Sequence, residues 1–488
     1  MKKKKIEDAP KLEGIALGCL QRFKRLFELD GDAERFETIL AVETEVSAFC
    51  RELGRQVIQS YVDVRYCQAT KKRKICACKT GVTVHRKTEW TRTTPLGQIT
   101  IRDPWLRCRH CTAASRPLHA FIGTNREVYS LDVVEKALDL ASDESAGKAV
   151  KKLARHHPGV EMDRNTAIRL LHTYGKNARE FVNSKLGHAR SLTELPPLER
   201  GKGIPEMEVE YDGGMIPVAT LEPIVVEEGK RPELTPVRKL PKRKRNCYWR
   251  ETVVCLVQVP GSTERLYAAR LSGQTDAAFD DLYGLAAEKG WTEKTQVRGI
   301  ADGAIYIRPR MEEAFNMGDF RFILDRPHCK EHLSDAGEAL SKFTGVHAQE
   351  WAKKALAKME KGDAMSVVLE LKEAYLASGT DKENRDDLLR REAAYFERNA
   401  DAVAYAEYRD QGWSTASSEV ESAHRSVIQS RIKIPGAWWH PDHVDDILAL
   451  RILKANNWWG EFWDIERAQW HSRARALKDS LAQRLNAA

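Results

Sequence analysis

The sequence predicts a multidomain α+β protein, and three observations carry that prediction. Between Arg298 and Leu333, two short apolar runs that each end on an acidic residue flank an amphipathic run, the pattern of strand, helix, strand. Two close pairs of cysteines, Cys76 with Cys78 and Cys108 with Cys111, bracket a stretch that alternates like a hairpin. The stretches 129–182 and 334–413 carry helical periodicity.

At 488 residues the chain is long enough for several domains and at least one large core. Charged residues make up 31% and the net charge is +8, a balance that suits a soluble protein with a polyanionic partner but is shared by many others. No apolar run approaches a membrane span, and the start, MKKKKIEDAP, lacks the apolar segment of a secretory signal. Ten clustered cysteines without an export signal point to reduced thiols in a cytoplasm, not to a disulfide framework.

Residues 1–60 read as an N-terminal helical region, with helices over 12–29 and 32–58. Ile39, Val42, Val46, Phe49 and Leu53 form one apolar stripe, suited to packing on a core or to a short dimer seam. Residues 61–125 read as a zinc-ribbon-like domain. Two strands about a Pro-Leu-Gly turn would bring Cys76, Cys78, Cys108 and Cys111 together as four thiolates around a structural Zn2+. The first pair is CxC and not CxxC, so Cys67, His110 or His119 could replace one ligand. The rival reading is four buried free thiols.

Residues 126–189 read as a helix-turn-helix. Leu131, Val134, Leu138 and Ala141 mark the first helix and 146–155 the second. Asp163 caps a third that runs through Asn177. On the third helix Ala167, Ile168, Leu170, Leu171 and Tyr174 would face inward. Arg164, Asn165, Arg169 and His172 would face outward, where such side chains reach phosphates and base edges. Spacing alone serves a plain three-helix packing unit equally well. Residues 190–205, rich in Pro and Gly, read as a linker.

Residues 206–333 begin the main core. A strand over Glu206–Tyr211 ends on Asp212, ahead of Gly213 and Gly214. A basic stretch follows, including Lys239, Lys242, Arg243, Lys244 and Arg245. It suits a phosphate-binding arm or a solvated loop. ETVVCLVQV and RLYAARL read as a hairpin, and Asp276–Lys289 as a helix. The strand before Asp302 comes next, then the strand before Asp325, with His328 three residues on. Acidic residues at strand tips sit where ligands and metals gather. His328 could instead join Cys329 and His332 in a metal cluster, or be a satisfied buried histidine.

Residues 334–413 read as an all-helical insertion, 414–465 as the second part of the core, and 466–488 as a helical tail. Ser417 or Ser418 would cap a helix bearing Glu419 and Glu421. These two stand about 200° apart around the axis, so only one can face a site on the sheet. Arg425 lies one turn after Glu421 with His424 beside it, and either could hold a phosphate or order a carboxylate; His424 reads almost equally well as a surface residue. Val444–Leu453 reads as a helix, and Trp458, Trp459, Phe462 and Trp463 as core closure. Two aspartates on strands and a glutamate on a helix can bind two divalent cations for phosphodiester chemistry.

Four pieces carry a resemblance: YDGG at 211–214, ADGA at 301–304, LDRPH at 324–328 and SSEVESAHRSVIQSRIKIPGAWW at 417–439. They resemble the DDE transposases of bacterial insertion sequences, in the Kra-type group related to Mutator-like transposases, over roughly residues 60 to 465. The resemblance implies an RNase-H-like catalytic core. Its triad would be Asp212, Asp302 and Glu421, holding Mg2+ or Mn2+, with Asp325 and His328 as an accessory element. It selects Glu421 over Glu419 and tips the helix-turn-helix toward DNA. It implies double-stranded transposon-end and target DNA as partners, a dimer or higher oligomer in the working complex, and a bacterial cytoplasmic, nucleoid-associated setting. A non-cleaving DNA-binding derivative and another RNase-H-like nuclease are the rival functions.

Overall fold

The computed structural model describes residues 38–72, 76, 78–111, 114–123, 127–193, 203–223, 243–271, 276–379 and 387–486, with 14, 17, 18 and 21 before them. The expected helix over 12–29 therefore lies almost wholly outside the described residues. The chain is mixed α+β, with one small antiparallel sheet and one mixed five-stranded sheet. It divides into two compact units, coarser than the eight segments expected: Met1–Leu171 with Gly460–Ala488, and His172–Trp459. Among the described residues, no helix is long and apolar enough to cross a membrane.

The first unit opens with helix α1, Ile39–Lys72, which continues past the expected end at 58. Its later half is the part that packs: Val62 and Ala69 form a buried cluster with Ile99, Ile101 and Leu118. Ile39, at the head of the expected stripe, is 79% exposed. Strands β1 (Val82–Thr94) and β2 (Gly97–Cys108) pair antiparallel as the hairpin expected, closing at Thr94 opposite Gly97. Gly97 takes φ +113°, a conformation open to glycine and strained for other residues. A short strand β3 (Ala114–Ser115) and helix α2 (Pro117–Ile122) complete this part.

Helices α3 (Leu131–Asp143) and α4 (Ala146–His156) follow, capped by the Ser130 and Ser145 side chains. Helix α5 (Arg164–Thr193) is capped by Asp163, whose Oδ1 accepts the Thr166 N–H at 2.9 Å. Val133, Ala137, Leu153, Val160 and Ala167 make the shared core of the three. α5 does not stop at Asn177 and runs into the stretch expected as linker. The apolar period simply continues, with Ala178, Val182, Leu186 and Ala189 all buried.

The second unit is built on the five-stranded sheet. Its strands are β4 (Glu206–Pro223), β5 (Arg243–Gln258), β6 (Arg265–Leu271), β7 (Gln296–Ala301) and β8 (Asp319–Leu324), in the order β6-β5-β4-β7-β8. The first three pair antiparallel, and β4, β7 and β8 run parallel. Helix α6 (Asp276–Lys289) has the bounds expected and packs one face, where Phe279 stacks on Tyr211 at 4.9 Å.

Two expectations are corrected here. β4 does not end at Asp212; it runs on through Gly213 and Gly214, which pair with Val253 and Thr252. The basic residues Arg243, Lys244 and Arg245 are not in a loop but open β5, opposite Pro223, Glu222 and Leu221.

After helix α7 (Ile307–Ala314) and β8, the chain is helical for a long stretch: α8 (Arg326–Thr344), α9 (Ala348–Glu360), α10 (Ala364–Ala377), α11 (Asp387–Arg398) and α12 (Tyr405–Asp410). Helix α13 (Ser418–Ala423) continues into a π turn, His424–Gln429, and a last turn, α14 (Ser430–Ile432). The Arg451 guanidinium donates to the Ser426 and Val427 carbonyls of this turn. Helices α15 (Val444–Ala455) and α16 (Trp459–Asn486) end the chain; α16 belongs to the first unit from Gly460.

Candidate functional site

The site grows from the middle of the large sheet. Glu206, Glu208, Glu210 and Asp212 alternate along β4, so all four side chains share one face, while Met207, Val209 and Tyr211 bury the other. Each rung has its own partner. Glu206 pairs with the buried Arg298, whose guanidinium lies 4.8 Å from the Trp413 ring. Glu208 accepts Gln258 Nε2 at 2.9 Å and Ser414 Oγ at 3.2 Å. Glu210 accepts the Val420 N–H, at the start of α13, at 2.8 Å. Burial pushes the Glu210 carboxyl up to about 8. Val420 opposes this, while Glu208, Glu419 and Asp325 add to it. Glu210 is thus a neutral acid at pH 7.

Asp212 ends the row. Glu210 pairs in register with Ile300 on β7, so two residues further on Asp212 comes level with Asp302. Burial pushes Asp212 up to about 6. Positive His328 opposes this, Asp302 adds to it, the Gly213 N–H opposes it, and Glu421 adds to it. His328, Asp302 and Glu421 thus all bear on the Asp212 carboxyl. Asp302 is held twice: its Oδ1 accepts the Ala304 N–H at 2.9 Å, and its carbonyl accepts the Tyr395 hydroxyl of α11 at 2.6 Å. Gly303 between them, at φ +75°, has no room for a side chain against Leu324 and Tyr395.

Asp325 is fully buried and caps α8. Its Oδ2 accepts the His328 N–H at 2.9 Å and meets His328 Nδ1 at 2.7 Å. Its Oδ1 accepts Ser417 N–H at 2.6 Å and Ser417 Oγ at 2.9 Å. Burial alone would raise Asp325, but His328 and Ser417 outweigh it and hold the carboxyl below its usual range. His328 rises in turn to about 9, through Asp325 above all, and is an imidazolium at neutral pH. Ser417, expected to cap α13, therefore spends its hydroxyl on Asp325; neither it nor Ser418 makes a side-chain cap there. Cys329 is buried beside this pair, and His332 pairs with Glu392 at 2.7 Å, so no His328–Cys329–His332 metal cluster forms.

Glu419 and Glu421 separate as the helical wheel requires. Glu419 pairs with Arg265 at 3.0 Å, while Glu421 faces the Asp212 patch. Arg425 is exposed, 3.5 Å from Glu421. His424, expected as a surface residue or a phosphate contact, is buried over Gly214, where any side chain would collide with its ring. Gln429 Nε2 meets its Nδ1 at 3.0 Å. Burial, with Lys433, pushes its imidazolium down to about 4, so it is neutral.

The four cysteines of the first unit meet as expected. Cys76 and Cys111 sulfurs lie 3.5 Å apart and Cys78 and Cys108 sulfurs 3.4 Å apart, with all four within 4.8 Å of one another. Sulfurs around one zinc lie about 3.8 Å apart when each bond is about 2.3 Å, so this cage fits the ion. The His110 N–H donates to Cys108 Sγ at 3.3 Å, and Thr80 hydrogen bonds pull the Cys78 thiol down to about 5. Cys67, His110 and His119 are not in the cage; His119 instead meets the buried Asp103 at 3.1 Å.

Of the residues expected on nucleic acid, Arg164, Asn165 and Arg169 are exposed at the start of α5, and Arg243, Lys244 and Arg245 on β5. Lys239 and Lys242 lie outside the described residues. His172 is the exception. It is half-buried, its ring 3.8 Å from that of His443, and burial pushes its imidazolium down. Solvent-facing contact with DNA is not its position.

Among the described residues, three or more metal-binding side chains come within 4.8 Å of one another only at the four cysteines and at His172, His443 and Asp446. The carboxylates of Asp212, Asp302 and Glu421 are more openly spaced than such a cage. Sequence reasoning missed Glu208, Glu210 and Tyr395. For the first two the signal was the acid at every second position of EMEVEY. No protein-family model matches the chain, and no match is found among curated proteins.

Proposed function

We propose that the chain is a DDE-type DNA transposase that binds the terminal inverted repeats of a mobile element and catalyses metal-dependent strand cleavage and strand transfer. One observation carries this reading. Asp212, Asp302 and Glu421, from three distant segments, share one electrostatic patch on the sheet, beside an imidazolium. The sheet order β6-β5-β4-β7-β8, with three antiparallel strands and then two parallel ones, is the order an RNase-H-like core requires. On this reading the helices between β8 and α13 are an insertion in that core.

The donor set suits hard cations. Burial, Asp302 and Glu421 raise the Asp212 carboxyl, and Mg2+ or Mn2+ bound there would relieve it. The three carboxylates would together hold a pair of such ions. Asp212 would hold both, Asp302 and Glu421 one each. Bound there, the ions supply charge stabilisation for the attacking and leaving oxygens of a phosphodiester. Asp325 fixes the His328 ring, which presents positive charge to a phosphate oxygen. The Tyr395 hydroxyl holds the Asp302 backbone. Arg164, Asn165 and Arg169 would contact DNA, with Arg243, Lys244, Arg245 and Arg425 as phosphate contacts. The four cysteines would hold a structural zinc. At least two chains would bridge two DNA ends.

The test uses DNA carrying the flanking inverted repeat, Mg2+ and the full chain. Wild type nicks the end and joins the released 3′-hydroxyl to a target. Asp212→Asn binds the end unchanged and cuts at least 1,000-fold more slowly, about 4 kcal/mol of lost barrier lowering. Undiminished cleavage by that variant overturns the site. Cleavage without joined product marks a plain nuclease instead.

A further inference from the structure

We infer that His172, His443 and Asp446 form a second transition-metal site, of the kind that takes zinc, separate from both the cysteine cage and the acidic patch. The three side chains each bring a ligand atom within 4.8 Å of the others, and all lie in the second unit. His443 and Asp446 stand three residues apart at the start of α15, so both project to one side. His172 comes from α5. Gly175, one turn on, lets the two helices close: a methyl there would lie 2.6 Å from the Asp446 carbonyl oxygen.

The stronger argument is hydrogen bonding. His172 Nδ1, His443 Nδ1 and Asp446 Oδ1 are all shielded from solvent, and none has a hydrogen-bond partner. Three orphaned polar atoms within one cluster of side chains cost stability unless something binds there. A simple ion pair does not answer the need. His443 Nδ1 stands 3.8 Å from Asp446 Oδ2 and Arg179 Nε 3.5 Å from Oδ1, and His172 is left out of both pairs. Two imidazole rings 3.8 Å apart also cannot both be charged at low cost. Two neutral imidazoles and a carboxylate are a common donor set for zinc, with a fourth place for water on the open side, where the His443 side chain is 42% exposed. His440, whose ring lies 5.7 Å from that of His443, flanks that side. Such an ion would tie α5 to the turn before α15.

The experiment is metal analysis of the full chain, loaded with Zn2+ and then dialysed. Wild type is expected to hold two zinc ions per chain, and X-ray absorption to show a nitrogen/oxygen shell beside the sulfur shell. His443→Asn and Asp446→Asn should each lower the count from two to one and leave the sulfur shell intact. Replacing Cys78 and Cys108 by serine should leave the other ion. A wild-type count of one with sulfur ligands only overturns the site, and needs no variant to fold. So does a count that stays at two in His443→Asn.

Discussion

The Asp325 carboxylate meets the His328 ring at 2.7 Å with one oxygen and holds Ser417 N–H at 2.6 Å with the other. One fully buried side chain therefore ties the head of α8 to the segment that leads into Glu421. Asp325→Asn keeps the shape but loses the charge. It should cost about 2–4 kcal/mol of stability, measured by urea unfolding, because a hydrogen-bonded charge is lost from a buried site.

The same pair gives a pH dependence. The folded pKa of His328 is raised to about 9, so its contribution is complete below about 6.5, the unfolded value, and disappears as pH rises through about 9. Asp325, held low, adds stability above its unfolded value that is lost as acid reaches its folded one. Melting temperature should fall between pH 6.5 and 9 in wild type and fall less in His328→Ala. Equal slopes in the two proteins would refute the coupling.

Glu210 has the same sense as His328 and the opposite sense to Asp325. Its folded pKa is raised to about 8, so the folded state holds a proton that the unfolded state loses near 4.5. Stability is favoured at low pH and declines as pH climbs from about 4.5 to about 8. Glu210→Gln removes the ionisation. It should gain on wild type by up to a few kcal/mol at pH 8.5 and by little at pH 5, read from denaturant midpoints at both pH values.

Glu419 and Glu421 make a matched comparison two positions apart. Glu421→Gln should lower metal-dependent cleavage at least 100-fold. Glu419→Gln, which only loosens a partly exposed pair with Arg265, should lower it less than about threefold. The reverse ranking would move the third carboxylate to Glu419.

Tyr395→Phe removes the hydroxyl that holds the Asp302 carbonyl. About 1 kcal/mol of stability should go with it. Cleavage should fall while DNA binding, measured by gel shift, stays unchanged. An unaltered cleavage rate would separate α11 from the site.

Elements whose signal is local were readable beforehand. Helix α6 and the ends of β7 and β8 follow from short apolar runs bounded by turn and cap residues. The cysteine cage follows from residue type and a hairpin between the pairs. What the sequence hid depends on distant partners. Asp212 looked like a strand end because Asp-Gly-Gly normally turns, but the His424 ring needs the space over Gly214. Glu208 and Glu210 showed in the sequence only as alternating acids, and it is Gln258, Ser414 and Val420 that allow them inside. His172 faced outward on a helical wheel; its neighbours are more than 250 positions away.

The acidic row on β4 also works as a ruler. A slip of one position would turn Met207, Val209 and Tyr211 toward Arg298, Ser414 and Val420, and would press four carboxyl groups into the hydrocarbon layer under α6. Glu206, Glu208 and Glu210 are each keyed to a different mate, so the strand has one setting. A single residue inserted between Glu208 and Asp212 should abolish folding.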